Sequence, residues 1–157
     1  MKPKSRRLVI DTMVFIRLLS KKYEKLRKKI IEECSTIVVS HEVLKEYEGR
    51  AAQEGLLLPL MTLTGELREK LENIDSSYVE SKWKQLKGQL QKRKKRKVKH
   101  TIKLPKHKKD VKFVKLAYAS CADCIISENY HLLELDPINF GDKAIRVLDP
   151  STYMSQN

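Results

Sequence analysis

Asp11, Glu46 and Asp110 are the residues of this sequence best placed to do chemistry. Asp11 closes the apolar run Leu8-Val9-Ile10, which reads as a buried strand. Glu46 lies about one turn into the helix expected after a second apolar run, Ile37-Val38-Val39. Asp110 opens the helix that leads into a third, Cys124-Ile125-Ile126-Ser127, and the loop beyond holds Glu128 and Asn129. In open α/β sheets, ligands bind at the carboxyl ends of the strands, and all of these side chains can meet at one such edge. Hard oxygen donors clustered without His or Cys suit magnesium or manganese. One or two such ions activate water and hold the oxygens of a phosphodiester in line. Taken alone, each acid also reads as a helix cap or a solvated surface group. The combination is what points to a metal site.

The elements that must position these acids alternate. A strand over residues 8–11 runs into a short helix over 12–19. Residues 23–34 carry Tyr23, Leu26, Ile30 and Ile31 on one face and Lys and Arg on the other, a helical pattern. A strand over 35–39 precedes Ser40, a good N-cap, and a helix with Val43, Leu44 and Tyr47 as its apolar face, ended at Gly49 or Gly55. Helix is expected from Leu56 to about Ile74, and again over 78–90, where Val79, Trp83, Leu86 and Leu90 recur at helical spacing. Residues 98–104 alternate weakly and fit either a short strand or an irregular arm. A helix carrying Phe113, Val114, Leu116 and Ala117, the strand at 124–127, a helical turn at 130–133 and a strand at 145–148 complete the chain. Strands alternating with helices imply a parallel sheet covered on both faces.

The 157 residues, 41% of them hydrophobic, are the size of one domain with a real core. No apolar run approaches the roughly 20 residues that cross a bilayer, and no signal peptide is evident, so no membrane partner is expected. Three cysteines make no disulfide framework and favour an intracellular, cytoplasmic protein. The net charge of +13 is concentrated: residues 82–112 hold 15 Lys and Arg against one acid, and the remainder of the chain nets −1. Such a block is a polyanion-binding device, or else a solvated loop. Trp83 and Tyr78 are candidates for base stacking, although their spacing reads first as core packing. Cys121 and Cys124 form a C-x-x-C whose apolar setting favours packing over redox chemistry.

Four stretches together resemble the PIN-domain nucleases related to the toxin ribonucleases of toxin–antitoxin pairs. They are Val9-Ile10-Asp11-Thr12; Val39-Ser40 with Glu42-Val43-Leu44-Lys45-Glu46-Tyr47; Asp110-Val111-Lys112-Phe113 with Leu116-Ala117; and Ala122-Asp123-Cys124-Ile125-Ile126-Ser127 through His131-Leu132-Leu133. The resemblance covers residues 6–55 and 108–150. It implies a single α/β, Rossmann-like PIN domain over 1–157, its parallel sheet flanked by helices, with a basic insertion at 76–109. It further implies a four-acid, Mg²⁺- or Mn²⁺-dependent site that hydrolyses RNA, an antitoxin or other protein partner, and a homodimer. Asp11, Glu46 and Asp110 match the first three acids as metal ligands. Asn129 stands where the family has its fourth acid, and Met13 where Asn is common. An amide oxygen can ligate magnesium but brings no charge and cannot act as a base. Glu128 or Asp123 could supply the missing charge, with a structural role expected for Asp123. The hydroxyls of Thr12 and Ser127 are auxiliary candidates, and His131 is expected to pack.

The basic insertion is expected to hold the nucleic-acid backbone through Lys92, Arg93, Lys94, Lys95, Arg96, Lys97, Lys99, Lys103, Lys106, Lys108 and Lys109. DNA suits such an arm as well as RNA, because cationic charge does not distinguish them. The alternative readings are an RNA-binding protein on a weakened PIN scaffold, and the toxin of a toxin–antitoxin pair.

Overall fold

The β-branched and aliphatic runs form the inner strands. In the computed structural model, which describes residues 5–33, 35–95 and 102–156 (for 93–95 the backbone alone), the strands are β1 (Arg7–Ile10), β2 (Thr36–Val39), β3 (Leu71–Asn73), β4 (Cys124–Ile126), β5 (Ile138–Asn139) and β6 (Ala144–Leu148). The helices are α1 (Thr12–Arg17), α2 (Glu24–Glu32), α3 (His41–Gln53), α4 (Leu57–Glu66), α5 (Ser76–Lys95), α6 (Val111–Ala119), α7 (Tyr130–Leu133) and α8 (Pro150–Ser155). The strand order is β3-β2-β1-β4-β6-β5. All pairings are parallel except that of β5 with β6, giving the expected α/β class.

β1 is the hinge of this order. The chain builds β2 and β3 on one side of it and then returns to lay β4 and β6 on the other. The crevice between β1 and β4 is therefore a topological switch point, where α/β folds bind ligands. The register pairs Ile10 with Ile126, and the Asp11 amide donates to the Ile126 carbonyl at 2.9 Å. Leu8, Val9, Ile10, Ile37, Ile125 and Ile126 are fully buried, as strands covered on both faces must be.

α3 begins as expected at Ser40, whose hydroxyl accepts from the Val43 amide at 3.3 Å. It runs through Gly49 and stops before Gly55, which adopts φ +68°, a conformation open to glycine without a Cβ penalty. Its buried face carries Val43, Tyr47 and Ala51. Tyr47 stacks on Phe15 of α1, centroids 4.2 Å apart and rings 6° from parallel, and its hydroxyl donates to the Ile10 carbonyl. α3 is thus tied to the end of β1.

One segment differs from the sequence reading. The helix expected through Ile74 ends at Glu66, and Leu71–Asn73 joins β2 as an edge strand. Leu71-Glu72-Asn73 has no β-branched residue and no alternation, so neither propensity nor period marks it. Residues 102–105 carry no regular structure, while 98–101 lie outside the described residues. Trp83 is 3% exposed and meets Tyr118 and Phe140 edge-on, so it serves the core where α5 packs on α6. Tyr78 is exposed. Among the described residues no helix is long and apolar enough to cross a membrane.

Candidate active site

A cavity of about 820 Å³ opens at the carboxyl edge of the sheet, and Asp11, Glu46, Asp110 and Asn129 all line it. Each arrives from a different element. Asp11 follows β1, Glu46 lies on α3, Asp110 ends the single turn before α6, and Asn129 caps α7. Thr12, Arg17, Lys45, Arg50, Lys109, Lys112 and Glu128 complete much of the wall.

Asp11 is 6% exposed. Its Oδ2 accepts from the Ser127 hydroxyl at 2.7 Å, and Ser127 Oγ in turn accepts from the Asn129 amide at 2.9 Å. Burial raises the Asp11 carboxyl above its ordinary value. The Ser127 and Thr12 hydrogen bonds oppose this, the charge of Asp110 adds to it and that of Lys112 reduces it. Burial thus outweighs the hydrogen bonds, and a carboxylate so placed gains from any cation brought to it. Glu46 accepts from Thr12 Oγ1 at 2.7 Å through one oxygen and is ion-paired with Lys112 through the other. Burial lowers the Lys112 ammonium below its ordinary value, against the pull of Asp11 and Glu42. Tyr47, beside Glu46 in sequence, is raised well above its ordinary value by burial and by the nearby Asp11 charge, and stays a neutral donor.

Asn129 uses its amide in two directions. Its oxygen accepts from the His131 backbone at 3.0 Å, capping α7. Its nitrogen donates to Asp110 Oδ2 at 3.1 Å. The acceptor is spent on the helix and the donor faces the acid, so Asn129 steadies Asp110 and presents no free oxygen to the cavity in this arrangement.

The two acids considered as substitutes lie differently. Glu128 lines the cavity, but its carboxylate accepts from both Arg17 and the Tyr23 hydroxyl. Asp123 stands at the opposite edge of the sheet. It accepts from the Arg7 amide at 2.7 Å, and its own amide donates to the Arg7 carbonyl at 2.7 Å. That pair of bonds clamps the amino ends of β1 and β4 and puts Asp123 out of reach of the cavity, which removes it as an auxiliary group.

Of the basic residues, Lys109 reaches the cavity and Lys108 borders the neighbouring one. Lys92, Lys103 and Lys106 are exposed. Arg93, Lys94 and Lys95 continue the backbone of α5, whereas Arg96, Lys97 and Lys99 fall outside the described residues. His131 packs edge-on against His107, centroids 4.8 Å apart, and its Nδ1 stands 3.8 Å from Glu134 without a hydrogen bond. Cys124 is buried, its thiol pushed up to about 12 by burial, and both it and the exposed Cys121 are free.

Sequence reasoning missed Lys112, Arg17 and Tyr47 as parts of this edge. Lys112 is one cation among the many of residues 82–112, and nothing local singles it out. Its place two residues beyond Asp110, in the first turn of α6, was the one signal that could have found it.

The donor set is all oxygen, which fits a hard divalent ion in kind. As the side chains stand, no group of three or more acid, His or Cys side chains among the described residues is close enough together to hold one.

A mostly parallel sheet with acids gathered at its switch point makes this an α/β domain with a candidate hydrolytic site. The PIN domain model matches residues 7–131, and the chain belongs to the PIN domain family. Solved structures that share its fold include two VapBC complexes. VapBC2 from Rickettsia felis, bound to a DNA fragment from its promoter, has a TM-score of 0.59 at 15% identity, covering 91% of this chain and 98% of that one. DNA-bound VapBC from Salmonella typhimurium has a TM-score of 0.54, also at 15% identity, covering 92% and 98%. No curated protein matches the sequence.

Proposed function

We propose that this PIN domain is a metal-dependent endoribonuclease in which Asp11, Glu46 and Asp110 hold magnesium or manganese. The observation that carries the reading is the meeting of these three acids, from segments far apart in the chain, on the wall of one cavity. The ion, when bound, supplies the Lewis acidity that makes water a nucleophile near neutral pH. The chain's own groups do the rest. Ser127 and Thr12 fix the carboxylates of Asp11 and Glu46 by hydrogen bonds of 2.7 Å each. Asn129 steadies Asp110. Lys109, Lys45 and Arg50 on the rim hold phosphates flanking the scissile bond. Water adds to phosphorus and gives up a proton to solvent, the bond to the leaving oxygen breaks, and that oxygen takes a proton from solvent.

The basic residues of 92–109 extend the grip on the RNA backbone beyond the cavity, and each phosphate they neutralise releases counterions. The deciding experiment is cleavage of single-stranded RNA with Mn²⁺ by the wild type and by Asp11→Asn. Cleavage lost in the variant supports the enzyme. Tight binding without cleavage in both supports the second reading, an RNA-binding protein on a weakened scaffold, which the amide of Asn129 favours. The likeness to two VapBC complexes also favours the toxin role with an antitoxin partner, which alters the control of the site and leaves its chemistry as stated.

A further inference from the structure

The cavity that gathers the acids also contains a cation of the chain's own. Lys112 opens α6 two residues beyond Asp110 and pairs with Glu46 Oε2. The other oxygen of Glu46 is taken by Thr12, so both are engaged. Asp11 and Glu42 attract the same ammonium. The Lys112 side chain is 28% exposed and that of Glu46 32%, so solvent screens the pair only in part. Lys112 also borders a second cavity of about 360 Å³, whose wall includes Glu42 and Glu80 together with Lys108 and Lys115, the last paired with Glu80 at 3.1 Å. Glu42, on the wall of both cavities, is therefore an acid to which the ammonium can turn without leaving the protein. Glu42 there is held by the Ser76 hydroxyl at 2.7 Å.

We propose that Lys112 is a built-in counter-cation of the acid site, holding Glu46 until a divalent ion arrives and then giving way toward Glu42. The inference rests on the metal-dependent reading above. A carboxylate half withdrawn from water costs free energy unless a cation or hydrogen bonds meet it. An ammonium and a divalent ion cannot share Glu46, because like charges a few ångströms apart repel strongly at low dielectric. While Glu46 is turned to Lys112, the acids do not stand together at ion-holding spacing. Glu46 then faces a cation in both states.

The test is Mn²⁺ binding by the full chain, read by calorimetry and by the spin resonance of free Mn²⁺. Wild type, Lys112→Met, Lys112→Arg and Glu42→Gln are compared. Lys112→Met is expected to bind on the order of tenfold more tightly, the effect of removing a competing, partly screened ion pair. Lys112→Arg keeps the charge and is expected to bind no more tightly than wild type. Glu42→Gln, on the exposed first turn of α3, removes the receiving acid while leaving Glu46 in place, and is expected to bind several-fold more weakly. It serves also where Lys112→Met fails to fold. Equal affinity in wild type and Lys112→Met, or unchanged affinity in Glu42→Gln, overturns the proposal and leaves the metal reading standing. Absence of Mn²⁺ binding in all four overturns both.

Discussion

The side-chain nitrogen of Asn129 donates to Asp110 Oδ2 at 3.1 Å while its oxygen caps α7. One amide thereby joins the turn before α6 to the loop after β4. An aspartate at this position keeps the cap, since Asp and Asn are comparable N-caps, but turns a hydrogen bond to Asp110 into a repulsion between like charges. Asn129→Asp is therefore expected to lower stability without metal by about 1–2 kcal/mol and to raise Mn²⁺ affinity and cleavage rate. Calorimetric titration and a thermal melt with and without Mn²⁺ measure both. No gain in either affinity or rate would show that the fourth position has no share in holding the ion.

Asp11 gives a pH dependence of opposite sign to the usual acid. Its carboxyl is raised from 3.8 in the folded chain, first by burial. A group whose folded value lies above its unfolded value binds its proton more tightly when folded. The stability it contributes is full below the unfolded value and is lost as pH rises through the folded one. Asp11→Asn removes that loss. Without metal, the variant is expected to be more stable than wild type at pH 7, and the difference to shrink as pH falls toward 4. Urea melts at both pH values measure it, and a gap that widens on acidification would contradict the burial argument.

The cationic segment is tested by salt. Neutralising residues 92–97, and separately Lys103, Lys106, Lys108 and Lys109, is expected to weaken binding to single-stranded RNA. It should also flatten the dependence of log affinity on log salt by about 0.7 for each phosphate left without its cation. Filter binding from 50 to 300 mM salt reads both quantities. An unchanged slope in both variants removes the arm from RNA binding.

Asp123 separates architecture from chemistry. Asp123→Ala removes the bond to the Arg7 amide, at a cost of about 1 kcal/mol, equivalent to roughly 2–4 °C in Tm at this size. Because the residue stands at the amino edge of the sheet, Mn²⁺ affinity is expected to be that of the wild type. A fall in affinity beyond the effect of lost folded protein would place Asp123 back in the site.

What the sequence made legible follows from how each feature is encoded. β1, β2 and β4 announce themselves because strands buried on both faces must be almost wholly apolar. β3 does not, because a three-residue edge strand takes its pairing from β2 and needs no pattern of its own. Asp11 is legible from its place at the end of β1, and Glu46 and Asp110 from their places on the helix after β2 and ahead of the helix before β4. The distance of Asp123 from the site was equally legible: a residue that precedes a strand parallel to β1 lies at the edge away from Asp11. The orientation of Asn129 and the pairing of Lys112 with Glu46 are tertiary facts. One depends on which side of an amide meets a helix start, the other on which lysine of a long basic stretch α6 turns inward.

The crevice between β1 and β4 has a consequence in time. Asp11 and Ser127, bonded across it, are 116 residues apart in the chain. During synthesis Asp11 and Glu46 emerge early, Asp110 much later, and β4 later still. Until β4 inserts beside β1, the acids share no cavity and Asp11 has no hydroxyl to hold it. A growing chain therefore carries the acids before it carries the site, and the hydroxyl that holds Asp11 arrives only with the end of β4.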